Sequence, residues 1–458
     1  MRLLAALVLT FSTAWPADLR VGAASAKITP PPGAPMAGYY YNRAADGVHD
    51  DLWAKAIVLD LGGTRAAIVA CDIAALPRPI IEQARREIER DPGIPPERVM
   101  ISATHSHTGP VVLSGSTRYN LEGDMLRIGK QYAADLPKMI AEAVRKATAT
   151  LAPARVAAGR GHEDSLTFNR RFDMKDGKVA WNPGKLNPNI VRPAGPIDPD
   201  VPVVYFDTPK GDAVAAHVNY ALHLDTVGGT EYSADYPYTL SRLLREARGN
   251  NMLTLFSIGC AGNLNHIDVK WADKQKGHNE AARIGTVLAA EALKTMKRLE
   301  SLPAGSIQAR SVMLKLPLPE VSATDLEWAR KITPSFGKPN AAPFMDLVRA
   351  FKFVDVAERK GELLEAEVQV IALGDQLAWV GLPGEIFTEL GMAVKTASPF
   401  RYTVVSELAN GSIGYVPNRK AYPEGAYESE SARCGPGSGE MLVDAAVRML
   451  VDLRKESR

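Results

Sequence analysis

The feature that most constrains this chain is an alternation of short apolar runs with segments of helical periodicity. The runs are rich in Val, Ile and Leu, which is typical of strands buried on both faces. They are AIVLDL (56–61), AAIVACDI (66–73), VMISA (99–103), VPVVYF (201–206), MLTLFSI (252–258), EVQVIAL (367–373) and LAWVGL (377–382). Between them, apolar residues recur at helical spacing, as at Ile80, Ala84 and Ile88. The pattern predicts an α/β protein whose sheet is covered on both faces, with the functional site at strand ends.

Composition supports a folded core and argues against a nucleic-acid partner. Of the 458 residues, 46% are hydrophobic, which is typical of a globular protein and not of a disordered one. The 54 Lys and Arg residues nearly balance the 52 Asp and Glu residues, and the formal net charge is +2. Nucleic-acid binders usually carry a marked basic excess or a basic stripe. We therefore expect no nucleic-acid partner.

The first 17 residues have the pattern of a secretory signal peptide. A basic start at Arg2 precedes an apolar stretch over residues 3–9, and small residues near Ala14 and Ala17 suit a cleavage site. That stretch is too short to span a bilayer, and no later window offers the roughly 18 apolar residues that a spanning helix needs. We expect export to the periplasm or the medium, with residues 18–458 as one soluble mature domain.

The three cysteines give no disulfide framework, because they are odd in number and far apart. They are Cys71, Cys260 and Cys434. Cys71 lies in an apolar run, which favours a buried hydrophobic role over a reactive one.

The most informative chemical pattern is THSHTGP at 104–110, directly after the predicted strand 99–103. Gly109 and Pro110 turn the chain away, so His105 and His107 are expected at the sheet edge where ligands usually bind. One isolated histidine is more often structural. A His-x-His pair at this place favours a metal-binding or catalytic role.

Two further candidates lie where strand-like runs end. His223 follows VNYAL (218–222), and Glu385 follows the run 377–382 just before a helical segment. The carboxylate of Glu385 has a second explanation, since the positive end of a helix stabilises an acidic group. Two histidines and one glutamate are also the ligand set of a hydrolytic zinc site, where the metal lowers the pKa of water and polarises a carbonyl. Such a site attacks an amide or ester without a nucleophilic side chain.

Two long segments, about residues 165–200 and 409–441, lack both periodicities and are rich in Gly, Pro, Asn and Tyr. Irregular segments of this length are often lids or walls of a site. Composition alone leaves open whether they are such walls or plain surface connections.

An ordered set of motifs runs through nearly the whole mature chain. The motifs are VGAASAKITP, MAGYY, GVHDDLWAKA, THSHTGP, FNRR, NYALH, GCAGNLN, LPGEIF and NGSIGYVPNRKAYPEGAYE. Each is weak alone, but together and in this order they resemble the neutral/alkaline ceramidases, zinc amidases that split N-acylsphingosine into sphingosine and a fatty acid. The resemblance implies an α/β catalytic domain of mixed β-sheets covered by helices, with one zinc ion per chain.

The resemblance also implies roles for seven residues, carried over position by position. The implied zinc ligands are His105, His223, Glu385 and Tyr415. The implied contacts to the substrate amide are His107, Arg170 and Tyr427, where cationic or hydrogen-bonding groups would stabilise the developing oxyanion. Because Arg170 and both tyrosines fall in the two irregular segments, we expect those segments to form walls of the site.

The sequence departs from the family pattern in two places. Asn263 and Asn265 stand where the family has Asp and Ser, which argues against a serine nucleophile and leaves metal-activated water as the attacking group. The chain also ends soon after the helical segment 440–453, where ceramidases continue into an immunoglobulin-like domain. We therefore expect the catalytic domain without that C-terminal domain.

These features predict an exported zinc amidohydrolase that cleaves ceramide-like lipids and makes peripheral contact with a membrane surface. The alternatives are a zinc hydrolase for another amide or ester, and a secreted binding protein of the same fold. Loss of the serine favours the binding protein, whereas the four retained ligands disfavour it, because a buried charged cluster has little structural use without metal. Convergence of the ligand atoms on one point would support the enzyme.

Overall fold

The computed structural model describes residues 19–114, 121–338 and 340–457. The signal peptide predicted over residues 1–17 lies outside the described residues. Three consecutive stretches of the chain each build one main sheet, and the three sheets enclose a shared apolar core. Among the described residues, no helix combines the length and the apolar character that crossing a bilayer requires.

The first stretch forms a five-stranded sheet with two long helices on one face. Its elements are β1 (Leu19–Lys27), β2 (Gly47–Val48), β3 (Trp53–Leu61), β4 (Thr64–Cys71), α1 (Arg78–Arg90), β5 (Val99–Ala103), α2 (Gly123–Ala149) and β6 (Ala152–Pro153). The strand order is β5-β4-β3-β1-β6, with β4 and β5 parallel and the other neighbours antiparallel. Helix α1 has Pro79 in its first turn, where the missing N–H costs nothing, and it buries the predicted face of Ile80, Ala84 and Ile88.

The second stretch forms another five-stranded sheet. Its elements are β7 (Arg155–His162), β8 (Phe168–Asn169), β9 (Arg171–Met174), β10 (Val179–Trp181), β11 (Ile190–Pro193), β12 (Asp200–Asp207), β13 (Ala213–Tyr220), β14 (Glu231–Tyr232), α3 (Tyr236–Arg248), β15 (Leu253–Ile258), β16 (Leu264–Asn265), α4 (His278–Thr295) and β17 (Glu300–Leu302). The main sheet has the order β15-β13-β12-β7-β17, with β13 and β15 parallel. Helix α3 begins at Asp235, whose carboxylate accepts the N–H of Tyr236 and so satisfies one free donor of the first turn.

The third stretch forms a four-stranded sheet. Its elements are β18 (Ile307–Leu316), α5 (Ala323–Ile332), α6 (Phe344–Glu358), β19 (Leu364–Leu373), β20 (Leu377–Gly381), β21 (Glu385–Ile386), α7 (Thr388–Ala397), β22 (Tyr402–Ser406), β23 (Tyr415–Val416), α8 (Ala421–Glu424), α9 (Ala426–Ser431) and α10 (Ser438–Glu456). The order is β18-β19-β20-β22, with β20 and β22 parallel.

The predicted strands and the fold class are confirmed. All seven apolar runs are strands, with ends that move by at most three residues, and the helix predicted over 440–453 is α10. The sheets are mixed and covered by helices, as predicted. One point differs from the prediction, which had a single sheet with helices on both faces. In the structure, each main sheet has helices on its outer face and the other two sheets on its inner face.

The inner faces of the three sheets meet in one apolar cluster. Each sheet contributes side chains to it, among them Ile57, Ile68, Val204, Phe206, Ile371 and Trp379. Burial of each such side chain stabilises the fold by about 1.5–3 kcal/mol relative to exposure. The cluster therefore holds the three sheets, and the loops at their ends, in a fixed relation.

Each main sheet contains one parallel pair, and a strand of each pair leads into a predicted site residue. His105 and His107 follow β5, His223 follows β13, and Glu385 follows β20. In a parallel pair both strands end at the same edge, so one such edge from each sheet faces the site.

The loop after β22 ties these edges together. Its Leu408 accepts a hydrogen bond from the N–H of Ala103, at the end of β5 (3.1 Å). Its Glu407 donates its N–H to Ile258, at the end of β15 (3.2 Å). The carboxyl ends of the three sheets therefore meet at one place.

Candidate metal centre

Three imidazoles lie together where the sheets meet. The Nε2 atoms of His105 and His223 are 2.9 Å apart, and Nε2 of His107 lies 3.3 Å from that of His105. Tetrahedral zinc with ligands about 2.1 Å away separates its ligand atoms by about 3.4 Å. The spacing of the three nitrogens therefore fits a shared metal ion.

Backbone carbonyls orient the two deeply buried imidazoles. Nδ1 of His105 lies 2.8 Å from the oxygen of Ala74, and Nδ1 of His223 lies 3.4 Å from the oxygen of Ala261. A carbonyl can only accept, so each Nδ1 carries the proton and each Nε2 presents its lone pair to the cluster. His105 also has a φ of 78°, a left-handed conformation that is uncommon outside glycine and is concentrated at functional sites.

His107 is held from the opposite side. Its Nδ1 lies 3.6 Å from Oδ1 of Asp225, which accepts a hydrogen bond from the hydroxyl of Tyr39 (2.7 Å). Burial lowers the pKa of His107 to about 4, and burial also lowers the pKa of His223 well below its usual value. Both rings are therefore neutral near pH 7, the form in which histidine binds a metal.

Glu385 directs a carboxylate oxygen at the imidazoles. Its Oε2 lies 3.4 Å from Nε2 of His105 and 3.8 Å from Nε2 of His223, and it accepts no hydrogen bond from the described residues. Burial favours a higher pKa for Glu385, but His105 and the hydroxyl of Tyr415 outweigh it and lower the pKa to about 2. An ionised, unsatisfied oxygen facing imidazole nitrogens is a donor set that suits a metal ion.

The alternative explanation of Glu385, an acidic residue at a helix N-terminus, does not match its position. Glu385 begins β21, and α7 starts only at Thr388 after Phe387, with no side chain capping that helix. The carboxylate instead faces the imidazoles of the site.

Arg170 lies beneath the cavity and is almost fully buried. Its guanidinium donates to Glu428 Oε1 (2.8 Å), to the oxygen of Gly262 (2.7 Å) and to the hydroxyl of Tyr415 (3.1 Å). Burial alone would lower the pKa of Arg170, but its contacts with the hydroxyl of Tyr415 and the carboxylate of Glu428 outweigh burial and raise the pKa. Arg170 is therefore a fixed cation behind the hydroxyl of Tyr415.

An aromatic wall rises from the site. The ring of Tyr427 lies 5.3 Å from that of Tyr415, 4.6 Å from Trp181 and 5.5 Å from Phe344. Two of these rings come from the irregular segment 409–441 and one from 165–200. Both segments thus supply side chains of the site, and they contain short strands and helices that the sequence does not predict.

A cavity of about 630 Å³ opens above the cluster. His105, His107, Glu385, Tyr415 and Tyr427 line it on the metal-centre side. Its other walls combine apolar residues, among them Ala74, Val111, Val112, Leu364 and Ile413, with the charged residues Asp355, Glu358, Arg359 and Arg433. A second cavity of about 670 Å³ shares the lining residues Pro77, Ser114, Arg359, Leu364, Ser412 and Ile413, so the two form a continuous groove.

Asn265, at the position of the family serine, is not among the described lining residues of either cavity. Its amide donates to Oδ1 of Asn182 (2.9 Å) and its Oδ1 accepts the N–H of Ile267 (3.1 Å). The side chain therefore fastens neighbouring loops, and it offers no nucleophile.

The structure also describes the three cysteines and several residues next to the site. Cys71, Cys260 and Cys434 are buried and form no disulfide within the described chain, in keeping with the hydrophobic role predicted for Cys71. Four further residues at the site were not predicted from the sequence: Asp225, Tyr39, Trp181 and Phe344. The only available signal was proximity in sequence to His223, for Asp225, and to the motif MAGYY, for Tyr39.

Comparison with known proteins gives a family match and a curated relative. Residues 19–183 match the family model described as neutral/alkaline non-lysosomal ceramidase, N-terminal. A curated relative, the neutral ceramidase of Pseudomonas aeruginosa, is 23% identical over 478 aligned residues, which cover 89% of this chain and 68% of the relative. The predicted resemblance to the neutral/alkaline ceramidases is confirmed.

Solved ceramidase structures share the fold. The crystal structure of neutral ceramidase from Pseudomonas aeruginosa matches with a TM-score of 0.75 and 21% identity, over 96% of this chain and 75% of that one. A structure described as ceramidase complexed with C2 matches with a TM-score of 0.74 and 21% identity, over 96% of this chain and 76% of that one. The chain therefore shares the fold of these structures.

Proposed function

We propose that this protein is a secreted zinc-dependent amidohydrolase that cleaves the N-acyl amide of ceramide-like lipids, with water as the nucleophile. The main observation that supports this proposal is the convergence of His105, His223 and Glu385. Their ligand atoms lie within 3.8 Å of one another beside a cavity. A binding protein that had lost catalysis would have no use for this unsatisfied polar cluster. The match to a neutral ceramidase supports the reaction class and the lipid substrate.

The proposed zinc ligands are His105, His223, Glu385 and Tyr415. Zinc in such a ligand set lowers the pKa of water towards neutrality and polarises a carbonyl oxygen. Arg170 donates to the hydroxyl of Tyr415, so it favours negative charge on that oxygen. His107 lies in the same cluster, and we assign it to contact the substrate amide.

His107 and Tyr427 supply hydrogen bonds inside the cavity. His107 is neutral near pH 7, so its ring both donates and accepts, which suits an amide group. Tyr427 lines the same cavity, and we assign its hydroxyl to donate to the substrate carbonyl as negative charge develops there. The apolar residues of the wall, such as Val111, Val112 and Ile413, suit the hydrocarbon part of an N-acyl lipid.

Export and domain organisation belong to the same proposal. Residues 1–17 act as the signal peptide, and residues 18–458 form one catalytic unit. The shared apolar cluster supports one unit, because it takes side chains from all three main sheets.

Metal content tests the centre. Purified protein, saturated with zinc and then desalted, is expected to retain one zinc ion per chain, and His105→Ala and His223→Ala are expected to retain none. His278→Ala is the matched control, because His278 stacks on His49 at a distance from the cluster and should not affect zinc. Wild-type protein that retains no zinc under these conditions would exclude the proposal.

A screen of substrates tests the hydrolytic activity and the identity of the substrate separately. Release of fatty acid is measured with ceramides, with other N-acyl lipids and with simple esters. Turnover of ceramide supports the full proposal. If only another amide or ester is turned over, the assignment as a hydrolase stands and the assignment of a ceramide-like substrate is wrong.

A further inference from the structure

Three neighbouring segments, 173–178, 184–192 and 268–276, form a surface with large exposed apolar side chains. Leu186 is 61% exposed, Val191 is 59% exposed and Trp271 is 41% exposed. Scattered exposed apolar residues are normal, whereas grouped ones mark interaction sites. We call the three segments together the loop surface.

Hydrogen bonds join the segments of the loop surface. The N–H of Leu186 donates to the oxygen of Val269 (2.7 Å), and Nζ of Lys185 donates to the oxygen of Ala272 (2.8 Å). The N–H of Lys175 donates to the oxygen of Asn189 (2.9 Å). These hydrogen bonds hold the segments that carry the exposed apolar side chains next to one another.

The loop that carries Leu186 is locked in a strained shape. Leu186 has a φ of 54° and Asn182 a φ of 44°, left-handed conformations that cost energy for residues other than glycine. Asn187 fastens the turn, since its Nδ2 donates to the oxygen of Pro183 (2.7 Å) and its Oδ1 accepts the N–H of Asn189 (2.9 Å). The backbone at Leu186 is therefore held in a strained conformation although its side chain contributes little to the core. This favours a role for Leu186 at the surface.

The loop surface is also the cationic part of the molecule. Its three segments contain seven Lys or Arg residues and four Asp residues, a formal charge of +3, while the whole chain carries +2. The remainder of the chain is therefore slightly acidic. Lysines around exposed Leu and Trp side chains are the pattern that binds the interface of an anionic bilayer.

The loop surface continues directly from the wall of the cavity. The N–H of Asn182 donates to the oxygen of Arg170 (2.9 Å), and the preceding residue Trp181 packs on Tyr427, which lines the cavity. A bilayer held against Leu186 would thus lie beside the aromatic wall.

We propose that the loop surface docks onto a bilayer that carries anionic headgroups, with Leu186, Val191 and Trp271 inserted below the headgroups. Lysines 270 and 274 contact the headgroups, since both are exposed beside Trp271. The proposal concerns binding and not catalysis, so its test does not depend on the proposed reaction.

Flotation with vesicles tests the apolar contacts. Wild-type protein is expected to float with vesicles of phosphatidylcholine mixed with phosphatidylglycerol, and much less with phosphatidylcholine alone. Leu186→Ser combined with Val191→Ser is expected to lower the partition coefficient about tenfold or more, from the lost burial of two aliphatic side chains. Val48→Ser is the matched control, because Val48 is 42% exposed in a different sheet, and it should bind like wild type.

Charge reversal tests the electrostatic contacts. Lys270→Glu with Lys274→Glu is expected to lower binding to the anionic vesicles at least about tenfold, since each cation near such a surface contributes about fivefold. Lys297→Glu with Lys455→Glu changes the net charge equally at exposed positions elsewhere and should have a smaller effect. High salt should weaken wild-type binding.

Three results would overturn the proposal. They are equal loss of binding in test and control variants, absence of wild-type binding to anionic vesicles, and self-association in sedimentation that Leu186→Ser abolishes. The last result would assign the surface to a second copy of the chain. If vesicle binding persists while no amide is hydrolysed, only the proposed function fails.

Discussion

Glu385 pairs in register with Tyr415 across the short parallel strands β21 and β23. The N–H of Glu385 donates to Gly414 (2.9 Å), and the N–H of Phe387 donates to Val416 (3.2 Å). Two proposed ligands are therefore held at a fixed spacing by the backbone and not by flexible side chains alone. Such preorganisation is what a metal site requires.

Removal of the Glu385 charge should weaken zinc binding strongly. Loss of a group that only orients a ligand costs about 10–100-fold in metal affinity, so Glu385→Gln should cost at least about 100-fold. Competition with a chromogenic chelator measures this affinity. Glu365→Gln, at an exposed carboxylate, should bind zinc like wild type. Equal affinities in the two variants would remove Glu385 from the ligand set.

Replacement of Glu428 should destabilise the fold. Its carboxylate is fully buried between Arg170 and Arg171, with contacts of 2.8 and 3.1 Å. Glu428→Gln removes the countercharge of Arg170 and leaves Arg171 with Glu424 as its remaining partner, so the expected loss in the free energy of unfolding is about 3–5 kcal/mol. Urea denaturation in the presence of a chelator measures the loss without a contribution from metal binding.

The exposed pair between Arg242 and Glu246 provides the control for that measurement. Glu246→Gln should change the free energy of unfolding by no more than about 0.5 kcal/mol. A similarly small change for Glu428→Gln would mean that the buried cluster does not depend on its charge.

His217 should make the fold sensitive to acid. Burial lowers its pKa to about 3, and its Nδ1 accepts a hydrogen bond from Nε1 of Trp379 (3.0 Å). Between about pH 6.5 and about pH 3 the unfolded chain binds one proton more at this residue than the folded chain, so the free energy of unfolding falls as pH falls. The full effect is on the order of 4 kcal/mol, and it is absent above pH 6.5 or so.

Denaturation curves at several pH values measure this contribution. His217→Gln removes the titrating group, so the difference in stability between wild type and variant should shift in favour of the variant as pH falls. His162→Gln, at an exposed histidine, should follow the wild-type curve. Parallel curves for wild type and His217→Gln would show that His217 does not titrate in this way.

Tyr427→Phe should slow catalysis with little effect on folding. Loss of a single hydrogen-bond donor to a developing oxyanion typically costs about 10²–10³-fold in kcat. Tyr422 on the same segment is the control, since its hydroxyl donates to the oxygen of Cys434 (2.8 Å) and does not face the cavity. Steady-state kinetics on a soluble N-acyl substrate should show unchanged kcat for Tyr422→Phe. An equal decrease in both variants would assign Tyr427 a packing role.

The sequence predicts best those strands that are apolar on both faces, such as β5 and β20. It locates only the end of β13 and misses β7, because β13 is rich in alanine and β7 contains Gly159 and Gly161. The glycine at 161 has a tertiary cause: a Cβ there would lie 2.5 Å from Oγ1 of Thr295. That contact forms only when α4 packs on the sheet, so the sequence of β7 alone gives no indication of it.

The same limit applies to the site. His105, His107, His223 and Glu385 are candidates from their place at strand ends, whereas Arg170, Tyr415 and Tyr427 follow only from the resemblance to a family. Trp181 and Phe344 have no sequence signal, since their contact joins the end of β10 to the start of α6. The end of a strand can be predicted from the local sequence, whereas contacts between distant loops cannot.

The three consecutive sheets also determine when the centre can exist. His105 and Tyr415 are separated by 310 positions, and the last proposed ligand lies near the end of the chain. A growing chain that has completed two sheets still lacks Glu385 and Tyr415, so it cannot yet enclose the ion with the full ligand set. Zinc retention is thus a measure of completed folding, and a chain cut between the second and third sheets should bind the metal fully only when its two pieces reassemble.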